Sequence, residues 1–390
     1  MHGGLILLCL AYVLSQFFRA FLAVLSGVLE QDIGTAPDDL AFASSLWFLS
    51  FAAMQLPVGW ALDRIGPRRT GSVLLLIGGG GGALMFAFAG TAAHINIAML
   101  LIGIGCSPVL MASYYIFARE YPPARFATLA ALMLGVGSVG NLVASYPLAL
   151  ATEWIGWRAA LVGLAAVSSA VAVGLFFTVR DPAPTNSDEK GSVFDLLKLP
   201  VMWAILPMMF VNYAPSGAFR GLWIGPYLSD VFGLSTTEIG QATLVMGLAM
   251  IAGTLTYGPM DRIFKTRKWV VFTGNIVVLL AIFALVALID YGVVVSVFLI
   301  ALIGVFGASF PVLIAHGRSF FPPHLVGRGV TLMNLFGIGG VGLMQFASGR
   351  IHQTYSGGAP TAPYVAILLF FGPSLLAGAL IYLFSRDSLD

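Results

Sequence analysis

Two arginines lie inside long apolar stretches, where a charged side chain is costly. Arg19 stands between Phe18 and Ala-Phe-Leu, and Arg220 stands between Phe219 and Gly-Leu, about 200 residues later. An arginine in the middle of a membrane-spanning helix costs about 2.5–3.5 kcal/mol on an insertion scale. Each arginine therefore needs a role that offsets this cost.

The guanidinium group of arginine binds a carboxylate or a phosphate through two parallel hydrogen bonds. No aspartate or glutamate lies in the middle of an apolar stretch, so the sequence offers no internal counter-ion there. We expect both arginines to bind one small anion from opposite sides of a central cavity. Alternatively, they extend to the outer interface or pair with acids near it, namely Glu30, Asp32 and Asp230. Glu30 lies roughly 16 Å from Arg19 along a continuous helix, which is far for direct pairing.

Polar and aromatic residues accompany each arginine at helical spacing, which indicates a hydrated face. The set around Arg19 is Tyr12, Gln16, Ser26 and Glu30, and the set around Arg220 is Tyr213, Ser216, Trp223 and Tyr227. Further candidates for the same cavity are Gln55, Tyr114, Tyr115, Asn141 and Asn334. Hydrogen bonding between helices explains these further candidates equally well. Pro215 and Gly217 predict a break or kink just before Arg220.

The composition excludes a soluble protein, because 59% of the 390 residues are hydrophobic and only 9% are charged. Continuous apolar runs of about 20 residues predict membrane-spanning helices, whereas a barrel would show short alternating strands. We predict an all-α integral membrane protein with twelve transmembrane helices. The predicted spans are 5–29, 40–62, 70–92, 95–118, 125–149, 157–179, 201–229, 236–260, 269–289, 293–316, 325–350 and 362–385.

The distribution of positive charge predicts the orientation in the membrane. Of the 19 lysines and arginines, all but Arg19, Arg220, Arg158 and Arg350 fall on one side of the predicted spans. The positive-inside rule places that side, with both termini, in the cytoplasm. The polar stretch after the sixth span is a linker between halves. The expected organisation is an N-terminal bundle at 1–180, a cytoplasmic linker at 181–199 and a C-terminal bundle at 200–390.

A charged turn after the second predicted span returns after the eighth. The first copy runs from Gly59 to Arg69 and the second from Gly258 to Lys268. Glycine-rich stretches also repeat on the fifth and eleventh spans, and glycines let helix backbones approach closely. Six helices followed by six in the same orientation indicate a parallel duplication.

The first turn closely resembles the signature of the major facilitator superfamily. The matching residues are Gly59, Asp63, Arg64, Gly66, Arg68 and Arg69, and the second copy retains Asp261 and Arg262 but has Phe264 at the second glycine. The resemblance implies two pseudo-symmetric six-helix bundles. It also implies that these residues gate transport as a cytoplasmic latch between the halves. Alternatively, the charges only anchor the helices and set topology, although topology does not need the aspartates.

The resemblance implies a secondary transporter, and the arginines favour a small organic anion as its substrate. A carboxylate or phosphate ester would move by alternating access, as anion exchange or as proton-coupled symport. The paired arginines resemble those of organophosphate:phosphate antiporters in this superfamily, but the rest of that subgroup's signature is not evident. One alternative is a proton-coupled efflux pump for neutral or amphipathic metabolites or drugs. The other is a receptor or scaffold that does not transport.

The sequence predicts no enzyme, because it lacks a phosphate-binding loop, metal-ligand spacing and a nucleophile–base pair. We expect no catalytic residue, cofactor, metal or nucleic-acid partner. The expected partners are the small anion, the lipid bilayer, and protons or a counter-transported anion. His94 and His316, at span ends, are more readily interfacial histidines than proton carriers. A monomer in the cell inner membrane, crossing it many times, is expected.

Overall fold

The computed structural model describes residues 2–182, 193–322 and 325–388, which form helices and connecting turns and contain no β-strand. Most of the predicted linker, at 183–192, lies outside the described residues. The chain divides into two compact units. The N-terminal unit comprises Met1–Ser187 with Thr236–Gln241, and the C-terminal unit comprises Asp188–Ser235 with Ala242–Asp390.

The first part of the chain is a series of helices joined by short turns. They are α1 (His2–Phe17), α2 (Leu22–Ile33), α3 (Pro37–Ala53), α4 (Gln55–Arg64), α5 (Pro67–Leu74), the π-helical segment Leu75–Gly81, α6 (Gly82–Ala87), α7 (Ala92–Cys106), α8 (Pro108–Glu120), α9 (Pro123–Val143), α10 (Tyr146–Ile155) and α11 (Trp157–Thr178).

The second part begins with a short 3-10 helix, Val193–Lys198, and continues with longer helices. They are α12 (Met202–Asn212), α13 (Ala214–Ala218), the π-helical segment Phe219–Trp223, α14 (Ile224–Phe232), α15 (Thr236–Phe264), α16 (Lys268–Ala287), α17 (Val293–Phe306), the 3-10 turn Gly307–Ser309, α18 (Phe310–Arg318), α19 (Val326–Tyr355) and α20 (Ala362–Tyr382).

Among the described residues, eight helices are long and apolar enough to cross a membrane, and three bent pairs raise the number to at most eleven. The bends are 54° between α1 and α2, 41° between α3 and α4, and 42° between α9 and α10. The predicted seventh span, 201–229, is divided among α12, α13, a π-helical segment and α14. Twelve transmembrane helices therefore stay a prediction, while the all-helical fold is confirmed.

Close backbone contact between α7 and the π-helical segment Leu75–Gly81 depends on glycines. A Cβ atom on Gly105 would lie 2.6 Å from the carbonyl carbon of Gly78, which is closer than two such atoms can approach. Neither backbone can retreat without separating the two elements. The glycine run is therefore a packing surface.

Replacing Gly105 by alanine should destabilise the N-terminal unit, because the added methyl group has no space. Overpacking of this kind costs about 1–3 kcal/mol. Gly163→Ala is the matched control, since nothing lies within 4 Å of its Cβ position. Thermal unfolding of the purified protein should show a lower midpoint for Gly105→Ala only. Equal midpoints for both variants would contradict this packing.

Candidate functional site

Arg19 lies where the first long helix is interrupted. Helix α1 ends at Phe17 and α2 begins at Leu22, so Arg19 is in the four-residue break between them. Its guanidinium carbon is 5.2 Å from the ring centroid of Trp47 and 5.5 Å from that of Phe51, both on α3. A cation over aromatic faces is attracted by their electron density. Among the described residues, Nε of Arg19 is buried and has no hydrogen-bond partner.

The other predicted residues of the N-terminal unit have separate surroundings. Gln16 Nε2 donates to the hydroxyl oxygen of Tyr12 at 2.7 Å, so these two predicted residues are in contact one helical turn before the break. Gln55 is buried at the start of α4 and donates to the Phe51 carbonyl at 3.1 Å. Tyr114 is half-buried on α8.

Arg220 also lies at a helix irregularity, within the π-helical segment Phe219–Trp223. Its side chain is only 3% exposed, and Nη2 donates to the hydroxyl oxygen of Tyr213 at 3.3 Å. Tyr213 occupies the junction between α12 and α13, and Ser216 donates to its carbonyl at 3.3 Å. The predicted irregularity before Arg220 is confirmed. Single π-helical turns are common at functional sites.

The remaining residues predicted beside Arg220 face the interior of the C-terminal unit. The Trp223 indole N–H donates to Ser348 Oγ at 2.9 Å. The Tyr227 hydroxyl contacts the Ile289 carbonyl at 2.6 Å and Ser296 Oγ at 2.8 Å. The four residues predicted to share one polar face with Arg220 therefore have different surroundings. Tyr213 and Ser216 lie near the arginine, whereas Trp223 and Tyr227 form hydrogen bonds to neighbouring helices. Asn334 is half-buried on α19.

A buried polar cluster joins α12, α16 and the 3-10 turn before α18. Asn212 Nδ2 donates to Asn275 Oδ1 at 3.0 Å and to Ser309 Oγ at 2.8 Å. Asn275 also donates to the Val271 carbonyl at 2.8 Å. The sequence analysis missed this cluster, since its members come from three separate apolar runs without a shared spacing. The cluster fixes the end of α12, which precedes the segment that contains Arg220.

The first charged turn is held by contacts within the N-terminal unit. Asp63 pairs with Arg119 at 3.7 Å, and the Arg119 guanidinium lies 3.8 Å from the Tyr115 ring centroid. The predicted cavity residue Tyr115 therefore contacts the charged turn. The Arg68 backbone N–H donates to Asp181 Oδ1 at 2.8 Å. Arg64 and Arg69 are exposed.

The second charged turn shares the aspartate cap of the first, but its ion pair lies within the turn itself. Asp261 pairs with Arg267 at 3.2 Å, and the backbone N–H groups of Arg267 and Lys268 donate to Asp387 at 3.2 and 3.0 Å. Burial alone would raise the pKa of the Asp387 carboxyl, but these bonds and one from Thr266 lower it below its usual value. Arg262 is exposed.

An aspartate therefore caps a corresponding helix in each unit. Asp181 follows α11 and binds the start of α5, and Asp387 follows α20 and binds the start of α16. A carboxylate at a helix N-terminus satisfies free N–H groups and interacts favourably with the helix dipole. The sequence analysis placed the first copy of the turn correctly but missed Arg119, Arg267, Asp181 and Asp387. The partners of Arg119, Asp181 and Asp387 are distant in sequence, so local spacing gave no signal for these three, whereas Asp261 and Arg267 are only six positions apart in the same turn.

The two histidines considered as proton carriers have structural partners. His94 is exposed, and its Nδ1 accepts a hydrogen bond from the Gly90 N–H at 3.3 Å. His316 is buried, with Nδ1 2.6 Å from the Tyr382 hydroxyl and Nε2 2.9 Å from the Arg386 carbonyl. Among the residues that the structure describes, no group of histidine, cysteine or acidic side chains could hold a metal ion.

Residues 8–224 match the family model of the Major Facilitator Superfamily. The chain is 23% identical over 294 residues to the probable sulfoacetate transporter SauU of Cupriavidus necator, covering 70% of this chain and 67% of that protein. It is 22% identical over 306 residues to the hexuronate transporter of Bacillus subtilis, covering 74% of this chain and 71% of that protein.

The fold is similar to that of a bacterial homologue of the human lysosomal transporter Spinster, solved in an inward-facing and occupied conformation. The TM-score is 0.78 at 17% sequence identity, and the match covers 98% of this chain and 96% of the solved chain.

Gly66 in the first charged turn should not tolerate a side chain. Its φ of 96° and ψ of 155° suit glycine almost alone, and a Cβ would lie 2.6 Å from the Asp181 carboxyl carbon. The strained backbone costs on the order of 1–3 kcal/mol. We expect Gly66→Ala to lower the thermal unfolding midpoint.

Gly59→Ala is the control from the same motif. Gly59 is inside α4, and its nearest neighbour would be the Met111 methyl group at 3.9 Å. Alanine in a helix interior is about 0.5–1 kcal/mol more favourable than glycine. The control should unfold at the same or a higher temperature. If Gly66→Ala unfolds like Gly59→Ala, the turn does not need this backbone conformation.

Proposed function

The chain belongs to the Major Facilitator Superfamily of membrane transporters, and we propose that it carries a small organic anion across the membrane by alternating access. The substrate is a carboxylate or a phosphate ester, moved by anion exchange or by proton-coupled symport. Members of this family are transporters and not enzymes.

The observation that carries the proposal is the position of Arg19 in the break between α1 and α2. Its guanidinium lies against the stacked rings of Trp47 and Phe51 on α3, and its buried Nε has no hydrogen-bond partner among the described residues. Leaving a buried charged donor unsatisfied is costly, whereas an anion would form two charge-assisted hydrogen bonds with the guanidinium, one of them from Nε. This arrangement favours a negatively charged ligand.

Arg220 supplies a comparable group in the C-terminal unit. It is almost fully buried, it lies in a π-helical segment, and its contact with Tyr213 orients the guanidinium. A phenol and a guanidinium are both donors for carboxylate or phosphate oxygens. The names of the two relatives support a carboxylate, because sulfoacetate and hexuronates both contain one.

The placement of the molecule in the cell belongs to the same proposal. The excess of lysine and arginine on one side supports cytoplasmic termini, and we place the protein in the cell inner membrane as a monomer. The function of the charged turns as a latch stays a prediction. The aspartate cap that both turns share favours a role in the conformational cycle over simple anchoring.

Ligand-induced thermal stabilisation of the purified protein tests the substrate class and the two arginines. The panel contains D-galacturonate, sulfoacetate and glucose 6-phosphate, with D-galactose as the neutral counterpart of galacturonate. A ligand at 100 times its Kd stabilises the folded state by about 2.7 kcal/mol. We expect at least one anion to raise the unfolding midpoint of the wild type. We expect galactose to have no effect.

Arg19→Lys and Arg220→Lys keep the charge but remove the planar group that binds two oxygens. Both variants should lose most of the shift. Arg350→Ala, which removes an arginine bonded to Gln353 near the end of α19, should keep it. Stabilisation by neutral or cationic compounds that both lysine variants retain would contradict the anion proposal and favour an efflux pump instead.

A further inference from the structure

A histidine that the sequence analysis did not consider lies in an aromatic cluster of the C-terminal unit. His352, on the last turn of α19, is 4% exposed. Its ring is stacked on Trp223, with centroids 5.2 Å apart and planes at 25°. The ring of Tyr364, on α20, approaches it edge-on at 5.6 Å. The imidazole therefore has an indole on one face and a phenol at its side.

The cluster has a short connection to the surface. The Tyr364 hydroxyl donates a hydrogen bond to the carboxylate of Asp230, which is exposed at the end of α14. Tyr364 itself is fully buried. Tyr364 thus contacts the buried imidazole with its ring and an exposed carboxylate with its hydroxyl.

The cluster is also joined to the segment that holds Arg220. Trp223 is the last residue of that π-helical segment, three positions after Arg220. Its indole N–H donates to Ser348, one turn before His352 on α19. Trp223 is therefore held by α19 at two points, through its N–H and through its ring face. A change in the charge of His352 acts directly on this contact.

Other charged and titratable groups of the elements around His352 set its electrostatic environment. They are Tyr227 and Asp230 on α14, Tyr364 on α20, Asp290 between α16 and α17, and Arg350 on α19 itself. The Asp230 carboxylate, which is linked to the cluster through the Tyr364 hydroxyl, favours a positive imidazolium, and a neighbouring positive charge opposes it. The indole face adds a cation–π attraction to the protonated ring. Burial of the ring is the opposing influence.

We propose that His352 is a proton-binding site, caged by Trp223 and Tyr364 and reached through Asp230. The lone pair of one ring nitrogen forms an N–H bond as an O–H bond of hydronium breaks and leaves a water molecule, and the reverse step releases the proton. If the proposed anion transport is correct, on which this step rests, His352 supplies the coupling proton. Proton binding and anion binding then strengthen each other by the same factor.

Tryptophan fluorescence measured against pH tests the site without any transported substrate. A protonated imidazole quenches an indole stacked on it. Between about pH 8.5 and pH 5, wild-type fluorescence should fall through one transition, by up to about one seventh, since the chain has seven tryptophans. His352→Gln should abolish this transition. The control His94→Gln, which changes an exposed histidine, should retain it.

Trp223→Phe provides a second variant in case His352→Gln does not fold. It removes the reporter and keeps the histidine, so the pH-dependent part of the emission should disappear. A transition that persists in Trp223→Phe, or in folded His352→Gln, would overturn the proposal. A wild type without any transition would overturn it equally.

Repeating the wild-type titration with saturating D-galacturonate, sulfoacetate or glucose 6-phosphate separates this proposal from the proposed function. A coupled anion should move the midpoint to higher pH, by one unit for each tenfold preference for the protonated form. In one outcome, the transition requires His352 and yet keeps its midpoint when an anion that stabilises the protein is added. That result would contradict the coupling between proton binding and anion binding. If none of the anions binds at any pH, the transport proposal fails while the proton site stands on the variants alone.

Discussion

The structure depends on one constraint, which is that backbone polar groups have no water to bind inside a membrane. Irregular backbone is tolerated at that depth only where it is enclosed by protein or lines a hydrated cavity. Both arginines of the apolar stretches lie at such irregularities. Arg19 is in the break between α1 and α2, and Arg220 is in a π-helical segment. The chain thus places its two most costly side chains where its helices are least regular.

Each unit surrounds its irregular first helix with regular ones that fix it. In the N-terminal unit, Trp47 and Phe51 of α3 hold the guanidinium of Arg19. In the C-terminal unit, the bonded amides of Asn212 and Asn275 fix α12, and α19 fixes Trp223. Because a guanidinium that binds an anion must be positioned before the anion arrives, this support would be part of the proposed binding site. At the charged turns, the aspartate caps of α5 and α16 give the same rigidity.

The sequence predicted the features that follow from composition and from local pattern. The all-helical fold, most span positions and the irregularity before Arg220 could be predicted, since hydrophobic length and Pro-Gly spacing are local properties. The break at residues 18–21 contains neither proline nor glycine, so it gave no signal. The role of Asp181 depends on a contact with Arg68, 113 positions away. His352 was overlooked because its aromatic neighbours come from other helices.

The central claim is that guanidinium groups at helix irregularities select an anion for transport. Counterflow of radiolabelled D-galacturonate, sulfoacetate and glucose 6-phosphate into proteoliposomes preloaded with the same unlabelled compound tests this claim most directly. The wild type should accumulate at least one anion and exclude labelled D-galactose. Arg19→Lys should reduce that accumulation at least tenfold, corresponding to about 1.4 kcal/mol of lost binding. Equal accumulation of galacturonate and galactose, or full activity of Arg19→Lys, would contradict the account.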